Sequence, residues 1–190
     1  MARGTTYRLA LKRRREGKTD YRRRTRYLVS GIPRLVARRS NAHYFAHVVV
    51  PSEKGDITVV SAHSKELARD FGWQGHGASA STGYLTGYLV GKRAVKGGVE
   101  RAILDAGLVI PGAGSNIFAL VKGAVDGGLR VPCDEGCYPK MGRIRGEEVA
   151  KAFAEDQSIA RHRKKGLDLA SLPRLMDEVL GKISSSVSEA

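Results

Sequence analysis

Between Lys12 and Arg26 the chain sets nine cationic side chains within 15 residues: Lys12, Arg13, Arg14, Arg15, Lys18, Arg22, Arg23, Arg24 and Arg26. Arg3 extends the series toward the N-terminus, and Tyr7, Tyr21 and Tyr27 are interspersed. A cation that meets a phosphate releases condensed counterions, and arginine adds a pair of parallel hydrogen bonds. A tyrosine ring can stack on an unpaired base. Arginine outnumbers lysine here by seven to two, which favours defined phosphate contacts over simple solubility. The chemistry offered is the binding of a polyanion.

Other chemistry is thinly supplied. Cys133 and Cys137 are spaced C-x3-C with no His or Cys pair close in sequence, so both thiols are expected reduced and metal-free. No Ser or Cys sits in a paired nucleophile motif. A two-metal nuclease needs several carboxylates converging on one point. Only Asp105 ends a predicted strand, while Asp56 falls in a turn and Asp134 and Glu135 follow the last strand. A metal-dependent nuclease stays open as the alternative function. The leading expectation is no catalytic residue, no cofactor and no small-molecule substrate. The run Pro111-Gly112-Ala113-Gly114-Ser115 resembles a phosphate cradle before a helix. No Gly-Lys-Ser/Thr follows it, so it reads as a turn and N-cap.

The charge is concentrated at one end. The net charge of the 190 residues is +14, and residues 1–40 alone account for +12. A nearly neutral body therefore carries one basic arm, which points to nucleic acid ahead of an anionic membrane surface. No apolar run approaches the ~18 residues of a membrane span. Two cysteines cannot form a disulfide framework, which fits a cytoplasmic protein.

The elements that position these residues follow from local pattern. Residues 1–18 lack an apolar face and read as an irregular arm. Thr19 is the expected N-cap of a short arginine-bearing helix that Gly31 ends. Arg34–Arg39, Tyr44–Val50 and Ile57–Ser61 read as three strands on short turns, an antiparallel meander. Tyr44, Ala46, Val48 and Val50 share one face of the second strand; Phe45, His47 and Val49 share the other. The hairpin puts Arg34 and Arg38 on one strand face, with Ser40, Asn41 and His43 at its tip and His47 beyond. These residues are candidate RNA contacts alongside the arm.

The period then changes. Ser64 is the expected cap of a helix ending at Gly72, and Ser81–Lys96 reads as a longer helix. Within it Gly83, Gly87 and Gly91 lie four apart, which suits close approach of another element. A strand at Arg101–Asp105, a helix at Asn116–Asp126 capped by Ser115, and a strand at Leu129–Val131 complete a right-handed crossover pattern. The fold class expected is α/β: a mixed sheet of about five strands with helices packed on it. The chain divides into a basic arm (1–32), an α/β core (33–132) and a helical C-terminal extension (133–190). In that extension Glu147 and Glu148 open one helix, whose far end is expected at Arg161–Lys165. The stripe Leu172, Leu175, Met176, Val179, Leu180 and Ile183 belongs to another and must be buried.

Several ordered segments carry a resemblance. These are Arg13-Arg14-Arg15-Glu16-Gly17-Lys18-Thr19-Asp20-Tyr21, Pro33 to Asn41, Ser61-Ala62-His63-Ser64, Ala102 to Leu108, and Gly123 to Leu129. Together they resemble the 5S-rRNA-binding family numbered eighteen in the large ribosomal subunit, in its archaeal form with N- and C-terminal extensions. The resemblance implies an RNase-H-like sheet without catalysis. It also implies binding to 5S rRNA, attachment to 23S rRNA and neighbouring large-subunit proteins, and a place in the central protuberance.

Overall fold

The computed structural model describes residues 4–53, 55–155 and 169–189. Arg3 and the basic run Arg161–Lys165 lie outside the described residues. The arm contains two helices, α1 (Lys12–Arg15) and α2 (Tyr21–Val29). Three strands follow, β1 (Arg34–Arg39), β2 (Tyr44–Ser52) and β3 (Gly55–His63), then α3 (Ser64–Asp70) and α4 (Ala80–Lys96). Next come β4 (Ile103–Asp105), α5 (Asn116–Asp126), a 3-10 turn (Glu135–Cys137), α6 (Met141–Arg145), α7 (Glu147–Glu155) and α8 (Leu172–Glu189).

The sheet has four strands in the order β3-β2-β1-β4. β1 pairs antiparallel with β2 from Arg34↔Val49 to Arg39↔Tyr44, and β2 pairs antiparallel with β3. β4 lies parallel to β1, with Val36 opposite Asp105. The expected fifth strand is reduced to one parallel bridge, Arg101↔Arg130. Pro132 carries no N–H, so the ladder has no donor there with which to continue.

One face of the sheet is covered. Leu35, Ala37, Tyr44, Ala46, Val48 and Ala62 point into the core against α4 and α5. The glycine spacing in α4 serves this packing. A Cβ on Gly87 would stand 1.9 Å from the Leu120 carbonyl oxygen, and one on Gly123 would stand 2.0 Å from that of Tyr84. The two helices touch backbone to backbone, and only glycine permits it. The stripe on α8 is covered within the chain: Met176, Val179 and Ile183 are buried, and α8 packs along α4.

Two helix caps differ from expectation, and a third stands where expected without its hydrogen bond. Asp20, not Thr19, caps α2, its carboxylate accepting from the N–H groups of Arg22 and Arg23. His63, not Ser64, caps α3, in a reciprocal box with Glu66. Ser115 stands at the N-cap of α5, but its hydroxyl is buried and finds no partner among the described residues.

Candidate nucleic-acid interface

The other face of the sheet is open, and the arm lies beside it. Between them runs a groove of about 720 Å³. Its floor is the outward row of the sheet, Arg34, Val36 and Arg38 on β1, His47 and Val49 on β2, and Thr58 on β3. One wall is the arm, through Arg13, Lys18, Arg23, Arg24 and Tyr27. The other is the loop after β4, Ala106 to Val109. Six cations line the groove against the three carboxylates of Asp20, Asp56 and Asp105.

Local chemistry shapes the wall. Gly17, at φ +64°, ends α1 in the left-handed conformation that lets the Lys18 N–H reach back to the Arg13 carbonyl at 2.9 Å. Arg13 donates its Nε–H to the Thr19 hydroxyl at 2.9 Å, folding the loop onto α1. Asp20 then starts α2, and the N–H groups it accepts, that of Arg23 first, hold its carboxyl below the usual range. Along α2 the helical period sends Arg23, Arg24 and Tyr27 into the groove. Arg22 and Arg26 are exposed and outside it, as are Lys12, Arg14 and Arg15 on α1. The arm thus has two cationic faces.

Across the floor runs a ladder of alternating charge. Arg24 donates to Asp56 Oδ2 at 2.7 Å, and Arg34 donates to the same oxygen at 2.6 Å. Arg34 also donates to Asp105 Oδ2 at 3.0 Å, and Arg38 donates to Asp105 Oδ1 at 3.1 Å. Arg38 donates further to the Asp105 backbone carbonyl. Arg34, a candidate RNA contact by sequence, is 4% exposed, with both terminal nitrogens engaged by carboxylates. It lines the groove floor with its charge shared between the two carboxylates. Arg38 keeps 42% of its side chain exposed and faces the groove.

At the hairpin end the tip residues divide their work. The Ser40 hydroxyl accepts from the His43 N–H at 2.9 Å and from the Ala42 N–H at 3.3 Å, so it closes the turn. Asn41 is exposed. His43 Nδ1 lies 3.1 Å from the Ser64 hydroxyl, while His47 stands on the groove floor. Sequence reasoning passed over Phe45 and His63. Phe45 is 38% exposed on the open face, edge-on to the His63 ring at 4.3 Å between centroids. Its strand neighbours are His63 on β3 and Arg38 on β1. The available signal was the alternation that puts an aromatic on the polar side of β2. Burial, and the positive charge of Lys65, push the His63 ring down from its ordinary value.

The carboxylates that a nuclease would need are spent on arginines: Asp56 and Asp105 each serve two. No group of three metal-ligating side chains assembles among the described residues. The Gly114 N–H donates to the Cys137 carbonyl at 2.9 Å, so the Pro111–Ser115 loop is a turn pinned to the next segment. Cys133 and Cys137 are free, half-buried thiols, and burial pushes the Cys133 thiol up. No helix among the described residues is long and apolar enough to cross a membrane.

A mixed α/β sheet covered on one face, with a cationic groove on the other, has the make-up of a polyanion-facing protein. Residues 5–100 match the family described as "Ribosomal large subunit proteins 60S L5, and 50S L18". A "Large ribosomal subunit protein uL18" of Methanothermobacter thermautotrophicus is 45% identical over 193 residues, spanning 98% of this chain and 100% of the relative. A protein of the same description from Sulfurisphaera tokodaii is 42% identical, over 97% of this chain and 98% of its own length. The chain belongs to this family of large-subunit ribosomal proteins.

Proposed function

We propose that the chain is a structural, non-catalytic component of the large subunit that binds 5S rRNA in the groove and attaches it to 23S rRNA in the central protuberance. The observation that carries this reading is the groove itself, with six cations against three carboxylates facing an open sheet. Folded RNA is read largely by shape and backbone, and a rigid floor with a cationic wall suits that task. The exposed arginines on the far side of α1 and α2 serve the second RNA, 23S rRNA, and neighbouring ribosomal proteins. The arm (1–32), the core (33–132) and the extension (133–190) divide this work. The ladder that neutralises Asp56 and Asp105 supports the absence of catalysis.

Co-sedimentation tests the proposal. Large subunits stripped of the protein and of 5S rRNA should regain 5S rRNA only when the protein is added back. Return of 5S rRNA at equal occupancy without the protein would contradict the reading.

A further inference from the structure

Asp56 is a carboxylate in a groove built for a polyanion, where its charge alone works against binding. It is 24% exposed and holds two arginines on one oxygen, Arg24 at 2.7 Å and Arg34 at 2.6 Å. Arg34 is fixed in the floor by its second partner, Asp105, and by burial. Arg24 belongs to α2, none of whose side chains is fully buried or part of the core cluster. Its Tyr27 is half-buried and lines the groove, so α2 meets the sheet at the groove and not through the core. The described polar ties from α2 to the body are the Arg24–Asp56 pair and a bond from Arg23 to the Gly107 carbonyl at 2.8 Å.

We propose that Asp56 is a positioning residue for RNA: it clamps α2 to the edge of the sheet and so sets the width of the groove before RNA arrives. This rests on the RNA-binding reading above. A groove held ready costs less ordering on binding than an arm recruited from an open ensemble. The benefit falls on RNA whose shape must fit the groove. A flexible single strand, which follows charge wherever the arm lies, gains nothing from the clamp and loses by the carboxylate. The two kinds of RNA should therefore respond to loss of Asp56 with opposite sign.

The experiment titrates the full chain and its Asp56→Asn variant with 5S rRNA and with poly(U) at one salt concentration. Affinity for 5S rRNA should fall about five- to tenfold as the docked population drops. Affinity for poly(U) should rise roughly two- to fivefold as one negative charge leaves. Both affinities rising would reduce Asp56 to a charge effect and overturn the proposal, and both falling would overturn it as general damage. Arg24→Gln, which leaves the Asp56–Arg34 pair intact, should also lower the ratio of 5S to poly(U) affinity; an unchanged ratio would overturn the clamp. If the wild-type chain itself shows no preference for 5S rRNA, the RNA-binding reading fails. Asp56 is then judged by hydrogen exchange of the α2 amides in the free protein: faster in both variants if it clamps the helix, unchanged if it does not.

Discussion

Replacing Gly87 with alanine tests the helix pair on which the sheet rests. The new methyl would stand 1.9 Å from the Leu120 carbonyl oxygen, 2.8 Å from its carbon and 3.0 Å from the Ala124 nitrogen. All three atoms are backbone, so no rotamer change relieves the clash. Restoring an ordinary carbon–oxygen separation of about 3.3 Å requires α4 and α5 to part by more than about 1 Å. Leu85, Leu89, Ala119, Leu120 and Ala124 are fully buried around this contact and would lose packing. Overpacking of this kind costs ~1–3 kcal/mol, with the upper end expected where backbone must move. Alanine returns up to ~1 kcal/mol of helix propensity, leaving a net loss of about 2 kcal/mol. Gly181 in α8 is the control, since a Cβ there meets nothing within 4 Å. Gly181→Ala should gain ~0.5–1 kcal/mol. Urea unfolding followed by far-UV circular dichroism reads both, with the thermal midpoint of Gly87→Ala falling roughly 4–8 °C. A Gly87→Ala protein as stable as wild type would refute the close-approach reasoning.

Three further outcomes follow from the interface. Arg23→Ala should weaken binding of 5S rRNA, and Arg14→Ala and Arg15→Ala binding of 23S rRNA, each flattening the salt slope by roughly 0.7–0.9, read by titration across potassium chloride. Phe45→Ala should cost ~1–3 kcal/mol of 5S rRNA binding with the salt slope unchanged, because stacking moves no counterions; a changed slope would argue against stacking. His63 accepts the Lys65 N–H through Nδ1 at 2.9 Å, so only the neutral ring caps α3. Its depressed pKa means that this stability is complete above the ordinary value of 6.5 and is lost as pH falls through the lower folded value. Melting points between pH 7.5 and 5 should fall more for wild type than for His63→Asn, which keeps a cap that does not titrate.

The sheet and the central helices were legible because their signals are local. Alternation along Tyr44–Val50 separates core from open face, and the four-residue glycine spacing in α4 marks the contact with α5. Caps were misplaced by one residue at Thr19 and Ser64 because each neighbours another competent acceptor, Asp20 and His63. The last strand shrank to a bridge because pairing there depends on a partner far along the chain and on Pro132. The basic arm was visible as a charge run, whereas its division into groove-facing and outward arginines needed the helix phase of α2. The burial and pairing of Arg34 could not be read locally, because its carboxylate partners lie 22 and 71 residues away. The stripe on α8 announced burial but not its cover, which is α4 of the same chain.

If arm and open sheet together form the proposed 5S rRNA site, removing the arm should show it. The full chain and a variant lacking residues 1–30 are titrated with 5S rRNA over a range of salt, with folding of each followed by circular dichroism. No residue of α1 or α2 is fully buried or belongs to the core cluster, so the truncated body should stay folded. It should lose much of its affinity and most of its salt dependence, retaining a weak preference for 5S rRNA through the sheet. Unchanged affinity and slope would contradict a 5S rRNA site built on the arm and assign the arm to another partner.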